Sequence, residues 1–178
     1  PGPDEPRLAP LRLVRGKLDD TPASRMEAAV ALAQAGRYDE SAESWRRAIA
    51  LDPWRIPDEA QAAALEPVFP RVAREVLDGL TRDGVHSRKH WKLVRRGSFE
   101  GEERWRLEQE THDTIDELLP TLRYVALAVA HTSAAPGRLR IDCDRPNDDS
   151  EAYLPIVQMG EAIVTWDVDR RITAVKVQ

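Results

Sequence analysis

The sequence predicts an α+β protein, with helices in its first half and a C-terminal antiparallel sheet of five to seven strands. Three observations carry this expectation. Apolar residues recur at helical spacing between residues 22 and 80, beginning with Met26, Ala29, Val30 and Ala33. Past Gly84 the period falls to two, most plainly in HWKLVRR (90–96) and EERWRLE (102–108). Capping and breaking residues punctuate both halves at element lengths. Helices gathered ahead of strands imply an α+β fold, or two small domains meeting near residue 84.

The expected organisation has three parts: an extended Pro-rich tail (1–20), a helical region (21–84) and an antiparallel β-rich region with one short helix (85–178). The tail carries Pro1, Pro3, Pro6 and Pro10 and no helical period, with room for a short strand at Leu11–Val14. Thr21 offers an N-cap with Pro22 at the first helical position, and the helix should run to about Ala35. A second helix should span Tyr38–Leu51. Asp58 caps a third that reaches Glu66, and Val68, Val72, Val76 and Leu80 place a fourth over Pro70–Leu80.

In the second half, HWKLVRR and EERWRLE predict a hairpin around a five-residue loop holding Gly97 and Gly101. Setting Arg96 opposite Glu102 puts Trp91, Leu93, Trp105 and Leu107 on one face, with Lys92, Arg104 and Arg106 on the other. Thr111–Leu119 reads as a short helix halted at Pro120. Arg123–His131 and Gly137–Asp144 read as strands. A final hairpin joins Glu161–Val168 to Arg171–Val177, with Val164, Trp166 and Val168 sharing a face with Val175 and Val177.

Residues 36–53, GRYDESAESWRRAIALDP, resemble the second half of a tetratricopeptide repeat. Gly36 and Tyr38 at the turn, Trp45 and Ala48 on the second helix, and Leu51-Asp52-Pro53 at its end carry the resemblance. It departs from the family at Arg25, where a bulky residue is usual, and at Ser41, where a small residue (usually Ala) stands. Such modules stack helical pairs and bind proteins, so the N-terminal fold is expected to be a tetratricopeptide-like helical hairpin with following helices. Thirty-four residues beyond Gly36 stands Pro70, with no second Gly-x-Tyr. A lone repeat leaves an apolar flank, to be covered by Pro57–Leu80 or by another subunit.

Composition narrows the function classes. The chain has 178 residues, 42% hydrophobic and 32% charged, with a net charge of −5, values of a globular domain rather than a disordered chain or a dedicated nucleic-acid binder. No apolar run approaches the roughly 20 residues of a membrane helix. Arg outnumbers Lys, 22 to 4 of the 26 basic residues, a bias of GC-rich bacterial genomes. A start at Pro1 rather than Met fits a trimmed domain or a removed signal peptide, which favours a periplasmic over a cytoplasmic location. The lone Cys143, at strand spacing, reads as a small buried hydrophobe.

Little points to catalysis. His86 and His90 stand four apart, but in a chain heading into a strand that spacing spreads them about 13 Å. The acidic stretch Asp142–Glu151 fails the EF-hand pattern, with Asn147 at the turn glycine and Tyr153 at the bidentate Glu. Neither a phosphate-binding glycine loop nor a G-x-S-x-G elbow is present. No metal, cofactor or enzymatic activity is therefore expected.

The expectation is a non-catalytic protein-interaction or adaptor module that binds a protein or peptide. Its polar contacts are expected from Arg25, Gln34 and Arg37 by the resemblance. Arg88, Lys92 and Arg96 belong to a basic stretch beside Trp91 and Phe99 that suits an acidic partner. Homo-oligomerisation through the open flank of the repeat is a further option. The alternative is an extracytoplasmic β-domain that takes a small ligand or envelope component against Trp91, Trp105 or Trp166, with the helices structural.

Overall fold

Thr21 starts the first helix. In the computed structural model, which describes residues 20–82, 91–108, 115–133, 137–146 and 156–178, its hydroxyl accepts the Ser24 N–H at 3.1 Å. Pro22 follows at the first helical position. The expectations for the tail (1–19), Arg88, the His86/His90 pair, the Thr111 cap and the acidic loop (147–155) lie outside the described residues. The chain divides into two compact units, Pro1–Gly79 and Leu80–Gln178.

The first unit holds four helices: α1 (Pro22–Gln34), α2 (Tyr38–Leu51), α3 (Glu59–Leu65) and α4 (Phe69–Leu80). Gly36, at φ 74°, closes α1 through paired bonds from Gly36 N–H to the Ala33 carbonyl and from Arg37 N–H to the Leu32 carbonyl. A left-handed residue there costs glycine least. The Asp58 carboxylate accepts the Gln61 N–H at 2.8 Å and the Gln61 side chain returns to the Asp58 N–H at 3.1 Å, so both orphan donors at the α3 start are satisfied.

Packing explains why α1 buries more than one stripe. Met26, Ala29 and Ala33 are buried as expected, yet Ala28, Ala31 and Leu32 are buried too, while Val30 is only half-buried. The helix touches α2 on one side and α3 on another, so it needs small residues nearly all round. On α2, Trp45 and Ile49 are buried, but Tyr38 stays 38% exposed with the Arg71 guanidinium 5.7 Å above its ring. Tyr38, at the turn, therefore stands outside the buried seam that Trp45 and Ile49 fill. Trp45 meets Phe69 of α4 edge-on, centroids 5.6 Å apart. At Gly79 a Cβ would lie 2.9 Å from Cβ of Pro53 and 3.2 Å from Cγ2 of Ile49. Only glycine lets α4 come that close.

The second unit is a five-stranded sheet in the order β1-β2-β3-β4-β5: Lys92–Phe99, Glu102–Glu108, Gly137–Pro146, Ile156–Trp166 and Ile172–Val177. The expected all-antiparallel sheet is corrected here, because β2 and β3 run parallel. Parallel neighbours need a crossover, and helix α5 (Ile115–Thr132) supplies it. The strand expected at Arg123–His131 is the C-terminal half of that helix. Pro120 does not halt it but lies inside. The apolar run YVALAVA is too short for its period to separate strand from buried helix, and proline was read as a stop. Tyr124, Val125, Ala126, Ala128, Val129 and Ala130 are all buried, and α5 packs on β3, β4 and β5.

The β1–β2 hairpin differs in register from the expected one. Leu93 stands opposite Leu107 and Arg95 opposite Trp105, and the turn is the two-residue Glu100-Gly101 rather than five residues. Both turn residues have positive φ, 50° and 77°, as a tight hairpin turn requires. The slip is two residues up to Arg95, so the side chains before the Arg95/Gly97 break keep their face. Trp91, Leu93, Trp105 and Leu107 are indeed all buried. At the far end Val164 faces Val175 and Trp166 is buried, but Val168 is 73% exposed, beyond the end of β4. Asp167 builds the turn there, its Oδ1 accepting from the Asp169 and Arg171 N–H groups.

Candidate functional site

In the helical unit, Arg25 and Arg37, both expected contact residues, are each held by an acid. Arg25 Nε reaches Asp20 at 2.8 Å, and Arg47 grips the same carboxylate at 3.0 Å. Arg47 first, then Arg25, holds the Asp20 carboxyl below the usual carboxylate range. Arg37 makes a two-pronged pair with Glu40, through Nε at 2.8 Å and a second guanidinium nitrogen. Such a hydrogen bond favours the charged guanidinium, and the pKa of Arg37 rises. Gln34 is exposed at the end of α1. Nine residues separate it from Arg25, which at roughly 100° per residue sets the two on opposite sides of the helix. The structure thus does not bring Arg25 and Gln34 together on one face.

In the sheet unit, Lys92 is exposed on β1 at the register position opposite Glu108. Arg96 is exposed and has no register partner, because the ladder shifts between Arg95 and Gly97. Arg95 pairs with Glu103 at 3.0 Å. The basic stretch is therefore divided between a strand face, an acidic neighbour and a bulge.

Sequence reasoning missed the main charge constellation. On the sheet face opposite the Trp105 side, Glu102 gathers Arg138 at 2.9 Å, Arg140 at 3.1 Å and Arg104 at 3.4 Å. Arg140 also reaches Glu161 at 3.2 Å. Arg104 lies 5.5 Å above the ring of Phe99, itself 59% exposed. The signal was present as alternation, E-x-R-x-R-x-E on β2 and R-x-R-x-D on β3. Only the parallel β2–β3 register, with Glu102 opposite Arg138 and Arg104 opposite Arg140, turns those two patterns into one network.

The remaining aromatic candidates are core. Trp91, Trp105 and Trp166 are buried, and the Trp105 indole N–H has no hydrogen-bond acceptor among the described residues. Cys143, the single cysteine of the chain, is buried. Among the described residues no group of His, Cys, Asp and Glu is placed to hold a metal, and no helix is long and apolar enough to cross a membrane. His131, at the end of α5, has its pKa lowered by burial and, second, by the Arg170 charge. No protein-family model, curated protein or solved structure matches the chain.

Proposed function

We propose that this chain is a non-catalytic protein-interaction module, in which the tetratricopeptide-like helices dock a peptide segment of a partner and the sheet unit adds a second contact surface. The observation that carries the reading is the order of helix packing. Helix α3 lies on α1, and α4 meets α2 through Trp45–Phe69, the 3.0 Å Arg46–Glu75 pair and the close approach at Gly79. Stacking first helix on first and second on second is the order that repeat scaffolds use to build a groove from their first helices. On this reading α3–α4 is a second pair that lost the sequence signature, and it covers the flank that a lone repeat leaves open.

The α1–α3 side is the docking groove in this proposal, and Val30, half-buried on α1, is its apolar candidate. Affinity there comes from apolar burial, since Arg25 and Arg37 are held by Asp20 and Glu40. A photo-crosslinking residue at position 30 of the intact chain should yield a discrete protein adduct that Val30→Glu, tested with the crosslinker at position 34, abolishes. Adducts formed only from positions 104 and 138 of the sheet would overturn the helical assignment. Perturbation of the Trp91, Trp105 and Trp166 indole NMR signals by a small molecule would favour the alternative, a ligand-binding β-domain.

A further inference from the structure

The two edges of the sheet are built differently. Edge strand β1 carries Lys92, Arg95 and Arg96 and a register break at Arg95/Gly97, devices that discourage strand addition. Edge strand β5, ITAVKV, has one charge, no proline and no glycine. None of its residues is buried: Ile172, Ala174, Val175 and Val177 are half-exposed.

Hydrogen bonding fixes which groups face outward. Glu161 and Gln178 exchange both backbone bonds, at 3.1 and 3.0 Å. Antiparallel pairs alternate between bonded and non-bonded, so Lys176 and Ala174 bond to β4 opposite Ile163 and Thr165. Val175 and Val177 stand in the intervening positions, with their N–H and C=O groups directed away from β4, at an edge with no second neighbour among the described strands.

We propose that β5 pairs antiparallel with β5 of a second copy of this chain, across a two-fold axis at Val175, joining two sheets into one of ten strands. Among two-fold registers that pair outward-facing groups, this one overlaps all of Ile172–Val177. It also sets Lys176 opposite the partner's Ala174. A register shifted by one step in one direction would place the two copies of Lys176 face to face, and the opposite shift would leave Val177 unpaired. On the other face Val175 meets its own copy, extending the apolar row that begins at Val164. This interface is separate from the helical groove and stands or falls independently of it.

Sedimentation velocity of the intact chain over a wide concentration range tests the pairing, with two oppositely charged changes at one position. Ala174→Glu sets a carboxylate opposite Lys176 twice per dimer and tightens association, whereas Ala174→Lys sets like charges there and weakens it. Each moves the dissociation constant by about 2- to 30-fold in its own direction. Val175→Pro removes an N–H that lies outside the β4–β5 ladder and has no acceptor among the described residues, and should abolish the dimer while the fold persists. A chain that stays monomeric at every concentration, or a dimer indifferent to both Ala174 changes, overturns the proposal. If the proline variant does not fold, the Ala174 pair still decides.

Discussion

The Ser41 hydroxyl donates to the Ala29 carbonyl at 2.6 Å, tying the second helix to the backbone of the first. Ser44 repeats the contact one turn on, reaching the Arg25 carbonyl at 2.9 Å. Side chains this short reach a neighbouring backbone only where two helices approach closely. Serine at position 41 thus meets the size limit of close helix approach as alanine would, and adds a hydrogen bond.

Replacing Ser41 separates size from bonding. The Ala29 carbonyl keeps its helical partner, so Ser41→Ala should cost only about 0.5–1.5 kcal/mol. Ser41→Val keeps neither the bond nor the fit, and overpacking raises the cost to about 1–3 kcal/mol or more. Urea unfolding of the two variants gives the order directly. Equal losses would mean that the helices are not in close contact at this site.

Glu102 is the anionic centre of three guanidinium groups and is 13% exposed. Glu102→Gln leaves Arg104, Arg138 and Arg140 repelling one another on adjacent strands. A fully buried pair broken this way costs about 3–5 kcal/mol and an exposed one under about 1, so a loss of about 1–3 kcal/mol is expected here. Arg138→Gln, at a half-exposed partner, should cost less. Raising ionic strength should narrow the difference, which thermal melts at low and high salt would show.

Local signals in the sequence were sound wherever a single element decided the outcome. Thr21, Asp58 and the Val68-Val72-Val76-Leu80 series fix helix starts and faces without help from the rest of the chain. Alternation in β1 and β2 sorted Trp91, Leu93, Trp105 and Leu107 to the core even with the register two residues off. What was not legible depends on distant partners. Nothing near Tyr124–Ala130 says that a parallel β2–β3 pair elsewhere needs a crossover. For the same reason the Glu102 network stayed hidden, since Glu102 and Arg138 stand 36 positions apart in sequence. The polar contact residues are a different case: the resemblance points to Arg25 and Arg37 as contacts, and each has an acid within a few residues that pairs with it.

Pro120 reads as a stop in the sequence because its cost to a helix is real. It sits sixth in α5, past the first turn, where its missing N–H deprives the Asp116 carbonyl of a partner. The residue is exposed, so alanine fits without contact to the core. Pro120→Ala should therefore stabilise the sheet unit by about 1–3 kcal/mol, offset in part by the looser unfolded chain. Destabilisation in guanidinium titrations would show instead that the proline shapes the crossover.

His131 predicts how stability responds to acid. Burial, and then the Arg170 charge, lowers its folded pKa, so the folded chain resists a proton that the unfolded chain accepts near pH 6.5. The unfolded state then binds more protons below that value, and stability must rise with pH across the window. Full stability holds above about pH 6.5 and is lost as pH falls through it, until the folded imidazole also protonates. The helix C-terminus at His131 favours a cation and works against this loss, but the cationic Arg170 and burial outweigh it. Melting curves from pH 7.5 to 5 should show a falling Tm for the wild type and a flatter profile for His131→Gln, which has no proton to bind. Parallel profiles would mean that His131 titrates alike in both states.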